Sequence, residues 1–328
     1  MKKNASSAPH PGILGLLQKM GIGRRRPVGT ISDEDKYAWL GRMLADVSYE
    51  MTPAETKNTE KLNGLLPAGS RIYVVHLPNT DLTKTTKSYE NALRAGYLPV
   101  PHLAARFVPD EATLRTFLGN LQSLGLDEIL LLGGGLKEQR GPYRTVMDLL
   151  HTGLFEEYGI RSFAVAGHPE PHPYASDEEI LRAYTEKYEY FTSHGHEYYM
   201  MTQFTFATAS LLGLIDTLRA HGLYFPVRAG LVGVVGFQVL IKYAVICGIG
   251  NSLKVLRKEA ANISNLSRGY RTETFLLPLA EKVLSEPDPD RYAMLQHFHV
   301  FPFNNNHARS IDYLQKLPLR EQDKVTLE

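Results

Sequence analysis

Two histidines and a glutamate stand among three prolines in AVAGHPEPHP, residues 164 to 173, directly after a short apolar run. His168, Glu170 and His172 could ligate a metal, sit in a rigid turn, or form one rim of a ligand site. A catalytic metal needs convergent ligands, a third donor and an open position. The i, i+4 spacing of the two histidines converges only on a helix, and the prolines exclude a helix here. No cysteine cluster accompanies the motif. A ligand-contacting loop is therefore the favoured reading, with a rigid loop next and a metal site last.

Other polar residues also fall where apolar runs end: Glu50, His76, His102, the glycines 133 to 135, Thr202 with Gln203, and Gly230. Glu50 also stands two residues before Thr52, where it could partner the start of a helix. Cys247 is the only cysteine and sits in AVICGIG, so it reads as a small buried filler. A lone cysteine forms no internal disulfide, which fits a reducing cytoplasm.

The elements that must position these residues repeat along the chain. Eight short β-rich runs recur: ADVSYE, RIYVVHL, YLPVPHLAA, EILLLGG, RSFAVAG, EYYMMTQF, FPVRAGLVG and HFHVFPF. Between them lie helix-like segments with caps. Thr52-Pro53-Ala54-Glu55 reads as a helix start. Asp110 opens another segment with leucines at 114, 118, 121 and 124. Ser176-Asp177-Glu178-Glu179 reads as a capping box. Strands apolar on both faces and separated by helices imply a parallel sheet with helices covering it. Eight such units fit a closed (β/α)8 TIM barrel, whose chemistry sits where the strands end at their carboxyl edge. An open doubly wound sheet would want a glycine-rich turn after the first strand, and SYEMTPAE has none. Residues 234 to 296 are too long for one helix, so extra helices are expected between strands 7 and 8, at 236–247, 252–263 and 271–285.

Composition narrows the partners. The chain has 328 residues, 43% hydrophobic and 22% charged, and a formal net charge of +1, which argues against nucleic acid as a partner. No apolar stretch reaches the roughly 20 residues of a membrane span. Residues 1–40 read as a partly flexible N-terminal arm with a short contact helix at 12–20, and residues 41–328 as the barrel. The apolar part of the arm offers a surface to a second copy in a homo-oligomer.

Taken in order, SYEMTP, PHLAAR, GGG, HPEPHP, MTQFTF and GLVGVVGF resemble methylenetetrahydrofolate reductase over about residues 45 to 320. The resemblance implies a (β/α)8 flavoenzyme that interconverts 5,10-methylenetetrahydrofolate and 5-methyltetrahydrofolate, with FAD and with NADH or NADPH as reductant. It implies Glu50 as the general acid, and Gln203 and Phe237 as substrate contacts. His102 and His172 match histidines that border the flavin. His76, Gly133, Gly134, Gly135, His168 and Lys187 are the other residues expected on the cofactor side.

Three departures from the family pattern stand out. Gly135 stands where the family has an aspartate beside the pterin, with Glu138 three residues on. Tyr190 and Phe191 stand where an Arg-Lys pair meets the FAD diphosphate, and Lys187 and Arg182 lie further back. His168 replaces a tyrosine. Flavin-free hydride transfer straight from NAD(P)H, oxidation of methyl-folate in one-carbon catabolism, and a non-catalytic folate-binding barrel are the alternative functions. An unrelated barrel enzyme on a phosphorylated substrate is a further one, but no polar phosphate loop stands at the seventh and eighth strand ends.

Overall fold

A computed structural model describes residues 30–78, 80–134, 139–249 and 270–319. Its eight strands are β1 (Ser48–Met51), β2 (Arg71–Val74), β3 (Leu98–Ala104), β4 (Glu128–Leu132), β5 (Ser162–Gly167), β6 (Glu197–Phe204), β7 (Val227–Val232) and β8 (Leu295–Phe301). Each pairs in parallel with the next, and β8 closes on β1 in a (β/α)8 barrel. All eight fall within the runs marked in the sequence or within two residues of them.

Alternation along the strands sorts side chains into two populations. Tyr49, Ile72, Leu103, Ile129, Phe163, Met200 and Phe298 point outward into the main core beneath the helices. Tyr73, Val100, Leu130, Ala164 and Met201 form a separate cluster, the packed interior of the barrel. A third cluster, of Phe204, Phe206, Val232, Phe237, Leu240 and Phe301, caps the β6–β8 side.

The described helices are α1 (Asp33–Leu44), α2 (Thr86–Arg94), α3 (Glu111–Ser123), α4 (Val146–Leu150), α5 (Leu154–Glu157), α6 (Asp177–His194), α7 (Thr208–Ala220), α8 (Phe237–Ile246), α9 (Glu273–Leu284) and α10 (His307–Lys316). The expected caps are made. Asp110 accepts from the Thr113 N–H at 2.7 Å, and Ser176 and Glu179 close a reciprocal box at the start of α6. At Thr52 the cap forms, with Glu55 bonding the Thr52 N–H at 2.7 Å, but it opens a 3-10 helix, Glu55–Leu62, in place of an α-helix. Thr56 and Thr59 donate their hydroxyls to carbonyls three residues back, so this polar stretch tightens its own turns.

The expected boundary at residue 40 falls inside α1. Ser32 caps that helix, and Trp39 packs edge-on against Phe298 of β8 at 6.0 Å. Residues 33–40 thus pack on the barrel, while the contact helix expected at 12–20 lies outside the described residues. Two of the extra elements between β7 and β8 are α8 and α9, and the helix expected at 252–263 also lies outside. No described helix is long and apolar enough to cross a membrane.

At the amino-terminal mouth the interior turns ionic. Arg71 bonds Glu128 at 3.0 Å and Arg228 bonds Asp46 at 2.9 Å, while Tyr199 donates to Glu128 at 2.6 Å. These groups line a cavity of about 250 Å3.

Candidate functional site

Glu50 enters the interior from β1 at the carboxyl end of the barrel. Its backbone carbonyl accepts a hydrogen bond from His307 Nε2 at 3.0 Å, which ties β1 to the start of α10. Its carboxyl is only 22% exposed, and Oε2 stands 4.0 Å from His299 Nε2. Burial, reinforced by the nearby Glu55 carboxylate, pushes the Glu50 pKa up to about 8. At neutral pH the group therefore holds its proton.

His299 was not singled out in the sequence. The signal was present in HFHVF, because alternation on β8 places residues 297, 299 and 301 on the interior side. Barrel closure pairs His299 in register with Ser48, and the Ser48 hydroxyl meets Nδ1 at 2.9 Å. Arg228 Nη1 donates to the same hydroxyl oxygen at 3.5 Å. With its oxygen accepting from arginine, Ser48 is placed to donate to Nδ1, the arrangement that leaves the imidazole hydrogen on Nε2, facing Glu50. Complete burial, then the charges of His102 and Arg228, hold the His299 pKa well below its usual value.

Two expected histidines continue this row. His102 on β3 lies edge-on to Tyr73 at 6.0 Å, and Tyr73 in turn lies 4.9 Å from His299. Beyond β2, His76 accepts the Ala104 N–H at Nδ1, so its Nε2 also carries a hydrogen. Burial lowers His76 to about 4 and His102 to about 3. Among the described residues, Nε2 of His76, His102 and His299 is buried without a protein partner. A lumen lined in this way presents neutral imidazoles and one protonated carboxyl, which suits a polar heterocycle better than a strong charge.

The HPEPHP segment is a rigid rim. Gly167 precedes it because a side chain there would run into Met200 and Thr202 of β6. The His168 N–H donates to Tyr184 Oη at 2.8 Å, and the rings of His168 and His172 meet edge-on at 4.7 Å. Glu170 is 5% exposed and accepts from the Thr205 hydroxyl at 2.9 Å, linking the β5 and β6 loops. Pro173 packs against Gly248, just past α8. Among the described residues, no group of three or more His, Cys, Asp or Glu side chains is placed to hold a metal ion.

The remaining expected residues divide. Gln203 sits in an irregularity of β6 between Met201 and Phe204, and its Oε1 accepts its neighbour's N–H at 3.0 Å, so part of the carboxamide holds the bulge together. Gly230 is required opposite, because a Cβ would collide with the Thr202 carbonyl. Phe237 is 3% exposed, packed at the start of α8 in the third apolar cluster, so the structure gives the expected substrate contact a core position. Gly133 is exposed, Gly134 adopts φ +87° against Ala104 and Arg106, and Gly135 and Glu138 lie outside the described residues.

Lys187 lies 5.6 Å from the Tyr184 ring centre, and burial lowers its pKa to about 8. Cys247 is half-buried beside the site, its thiol pushed up to about 11 by burial and by the Glu50 carboxylate.

At the register where methylenetetrahydrofolate reductases carry a cation pair, Phe191 is fully buried and Tyr190 donates to the Leu150 carbonyl and to Glu156. These two side chains are built into the outer core and do not fit a diphosphate.

No protein-family model matches the chain. Among solved structures, a Clostridium thermocellum protein that binds two copies of 5-methyl-5,6,7,8-tetrahydrofolic acid superposes with a TM-score of 0.55, at 13% identity, over 92% of this chain and 99% of its own. A D-psicose 3-epimerase solved with D-fructose gives 0.39 at 12% identity, over 85% of this chain and 97% of its own, which is too loose a match to carry an argument. The first likeness is one of fold.

Proposed function

We propose that the barrel binds a reduced folate over Glu50 and interconverts 5,10-methylenetetrahydrofolate and 5-methyltetrahydrofolate, with NADH or NADPH as the hydride donor. The observation that carries this reading is the largely buried Glu50 carboxyl 4.0 Å from His299 Nε2, where burial raises its pKa to about 8 and suits it to hold a proton. The ordered motifs shared with methylenetetrahydrofolate reductase support the same chemistry, and so does a structural neighbour that binds a methylated tetrahydrofolate.

In this reading Glu50 donates its proton to N10 as the one-carbon bridge opens to a 5-iminium ion. The dihydronicotinamide then passes a hydride to the iminium carbon, which becomes the methyl group, and NAD(P)+ leaves. The carboxylate left on Glu50 is met by the His299 N–H, whose tautomer Ser48 and Arg228 set. The histidines offer hydrogen bonds to the ring without competing charge. Methylenetetrahydrofolate reductases carry FAD, but Tyr190 and Phe191 do not fit its diphosphate, so the hydride passes directly from the nicotinamide.

The test is to mix the purified protein with 5,10-methylenetetrahydrofolate and NADH or NADPH and follow nicotinamide oxidation together with methyl-folate formation. Turnover in either direction supports the enzyme. Folate binding without nicotinamide oxidation favours the second reading, a non-catalytic folate-binding barrel, which the core positions of Tyr190 and Phe191 also suit.

A further inference from the structure

The cavity of about 250 Å3 at the amino-terminal mouth lies at the opposite end of the barrel from the Glu50 carboxyl. Two residues further along their strands, Tyr73, Leu130 and Ala164 fill the interior above Arg71, Glu128 and Ser162. Strand register builds the cavity walls. Glu128 on β4 pairs with Ser162 on β5, and Ser162 pairs with Glu197 on β6, so two carboxylates and a hydroxyl stand in one row. On the other wall Arg228 of β7 pairs with His297 of β8, and Gln296 stands beside them.

Two ion pairs consolidate this end. Arg71 Nε bonds Glu128 at 3.0 Å, and Arg228 Nη2 bonds Asp46 at 2.9 Å. Such pairs by themselves serve stability, the usual role of this face of a barrel. They leave two buried atoms unaccounted for. Among the described residues Arg228 Nε and His297 Nδ1 have no hydrogen-bond partner, although the Arg228 side chain is only 8% exposed. A guanidinium N–H withdrawn from water without an acceptor is costly, and native proteins rarely keep one. Both side chains line the cavity, so a molecule bound there can supply the missing partner.

The charges form two unlike walls. Beyond the paired Glu128, the β4–β6 row presents the Glu197 carboxylate and the Ser162 hydroxyl, while the β7–β8 wall presents the Arg228 N–H and the Gln296 carboxamide. A purely anionic ligand would face the carboxylates of Glu197, Glu128 and Asp46. A purely cationic one would leave the arginine hydrogen unmet. A small molecule with an ammonium and a carboxylate satisfies both walls, and the volume, below that of sites for drug-sized ligands, keeps it compact. We infer that this cavity is a binding site for a free amino acid, with its carboxylate on Arg228 Nε–H and its ammonium on Glu197 and Ser162. The site is separate from the folate mouth and does not depend on the folate reading.

The experiment is equilibrium dialysis of the full chain against an equimolar mixture of the standard amino acids, β-alanine and γ-aminobutyrate, with the retained species identified by mass spectrometry. Calorimetric titration then compares that species with its N-acetyl derivative and its amide. At least one amino acid is expected to be retained, and loss of either charge should weaken binding about tenfold or more. Glu197 is exposed, so Glu197→Gln is expected to fold normally, to weaken the amino acid about threefold to fivefold and to leave the N-acetyl derivative unchanged. Arg228→Lys keeps a charge but removes the Nε hydrogen, and should weaken the amino acid while sparing the amide. Retention of no amino acid overturns the site. Equal binding of the N-acetyl derivative overturns the assignment and gives the cavity to simple carboxylates. Unchanged affinity in Glu197→Gln places the ligand elsewhere on the molecule and overturns it as well.

Discussion

His299 Nε2 faces Glu50 Oε2 at 4.0 Å across the seam where β8 closes on β1. The two groups belong to opposite ends of the barrel sequence, and only ring closure makes them neighbours. Glu50→Gln removes the transferable proton while keeping shape and polarity. Turnover is expected to fall about 10²- to 10⁴-fold, with folate affinity within a fewfold of native, as read by steady-state kinetics and titration. Unchanged turnover would remove Glu50 from the proton-donor role.

Ser48→Ala leaves His299 free to take either tautomer. The expected result is a drop in kcat of about tenfold or less, together with a shift in the alkaline limb of the pH–rate profile, which in the native protein follows loss of the Glu50 proton near pH 8. A uniform drop with an unmoved limb would assign Ser48 a packing role only.

The stability of the fold should peak between about pH 6 and 7. His76, His102, His168 and His299 have folded pKa values below 6.5, so the unfolded chain binds more protons as pH falls through 6.5, and stability is lost toward acid. Glu50 acts in the opposite sense. Its folded pKa near 8 lies above its unfolded value of about 4.5, so the unfolded chain releases a proton first and stability is lost as pH rises between those values. Glu50→Gln should therefore raise Tm more at pH 8.5 than at pH 5, at about 1.4 kcal/mol per pKa unit relieved. Thermal melts across this range check both slopes, and an equal Tm gain at the two pH values counts against the raised Glu50 pKa.

With Tyr190 and Phe191 packed into the outer core, the purified protein is expected to be colourless and to oxidise NAD(P)H with folate in the absence of added FAD. A yellow protein that bleaches with NADH would show that the diphosphate is held by other residues.

Gly230→Ala places a Cβ against the Thr202 carbonyl where β6 bulges. The expected cost is about 1–3 kcal/mol, measured by denaturant unfolding, with a displaced Gln203. A neutral substitution would mean that the bulge yields without strain.

The eight strands were legible because buried parallel strands are apolar on both faces, and the caps at Asp110 and Ser176 were legible because their bonds are local. Less local features were harder to read. Thr52 was recognised as a cap, but the threonines after it bind their own backbone and tighten the segment into a 3-10 helix. Ser32 starts a helix inside what reads as an arm, and that helix is secured by the distant Phe298. Phe237 begins a helix in sequence, but its surroundings come from β6, β7 and β8, which place it in the core. His299 was visible in HFHVF, yet its role depends on Ser48, 251 positions away in the chain.

Arg228 joins two jobs that a barrel usually keeps at opposite ends. One guanidinium grips Asp46 at the floor and reaches Ser48 under the imidazole that faces Glu50. Damage to the foundation of this molecule should consequently be felt in its proton chemistry: loosening Asp46 would re-aim the acid from below, without any change to a residue that the substrate touches.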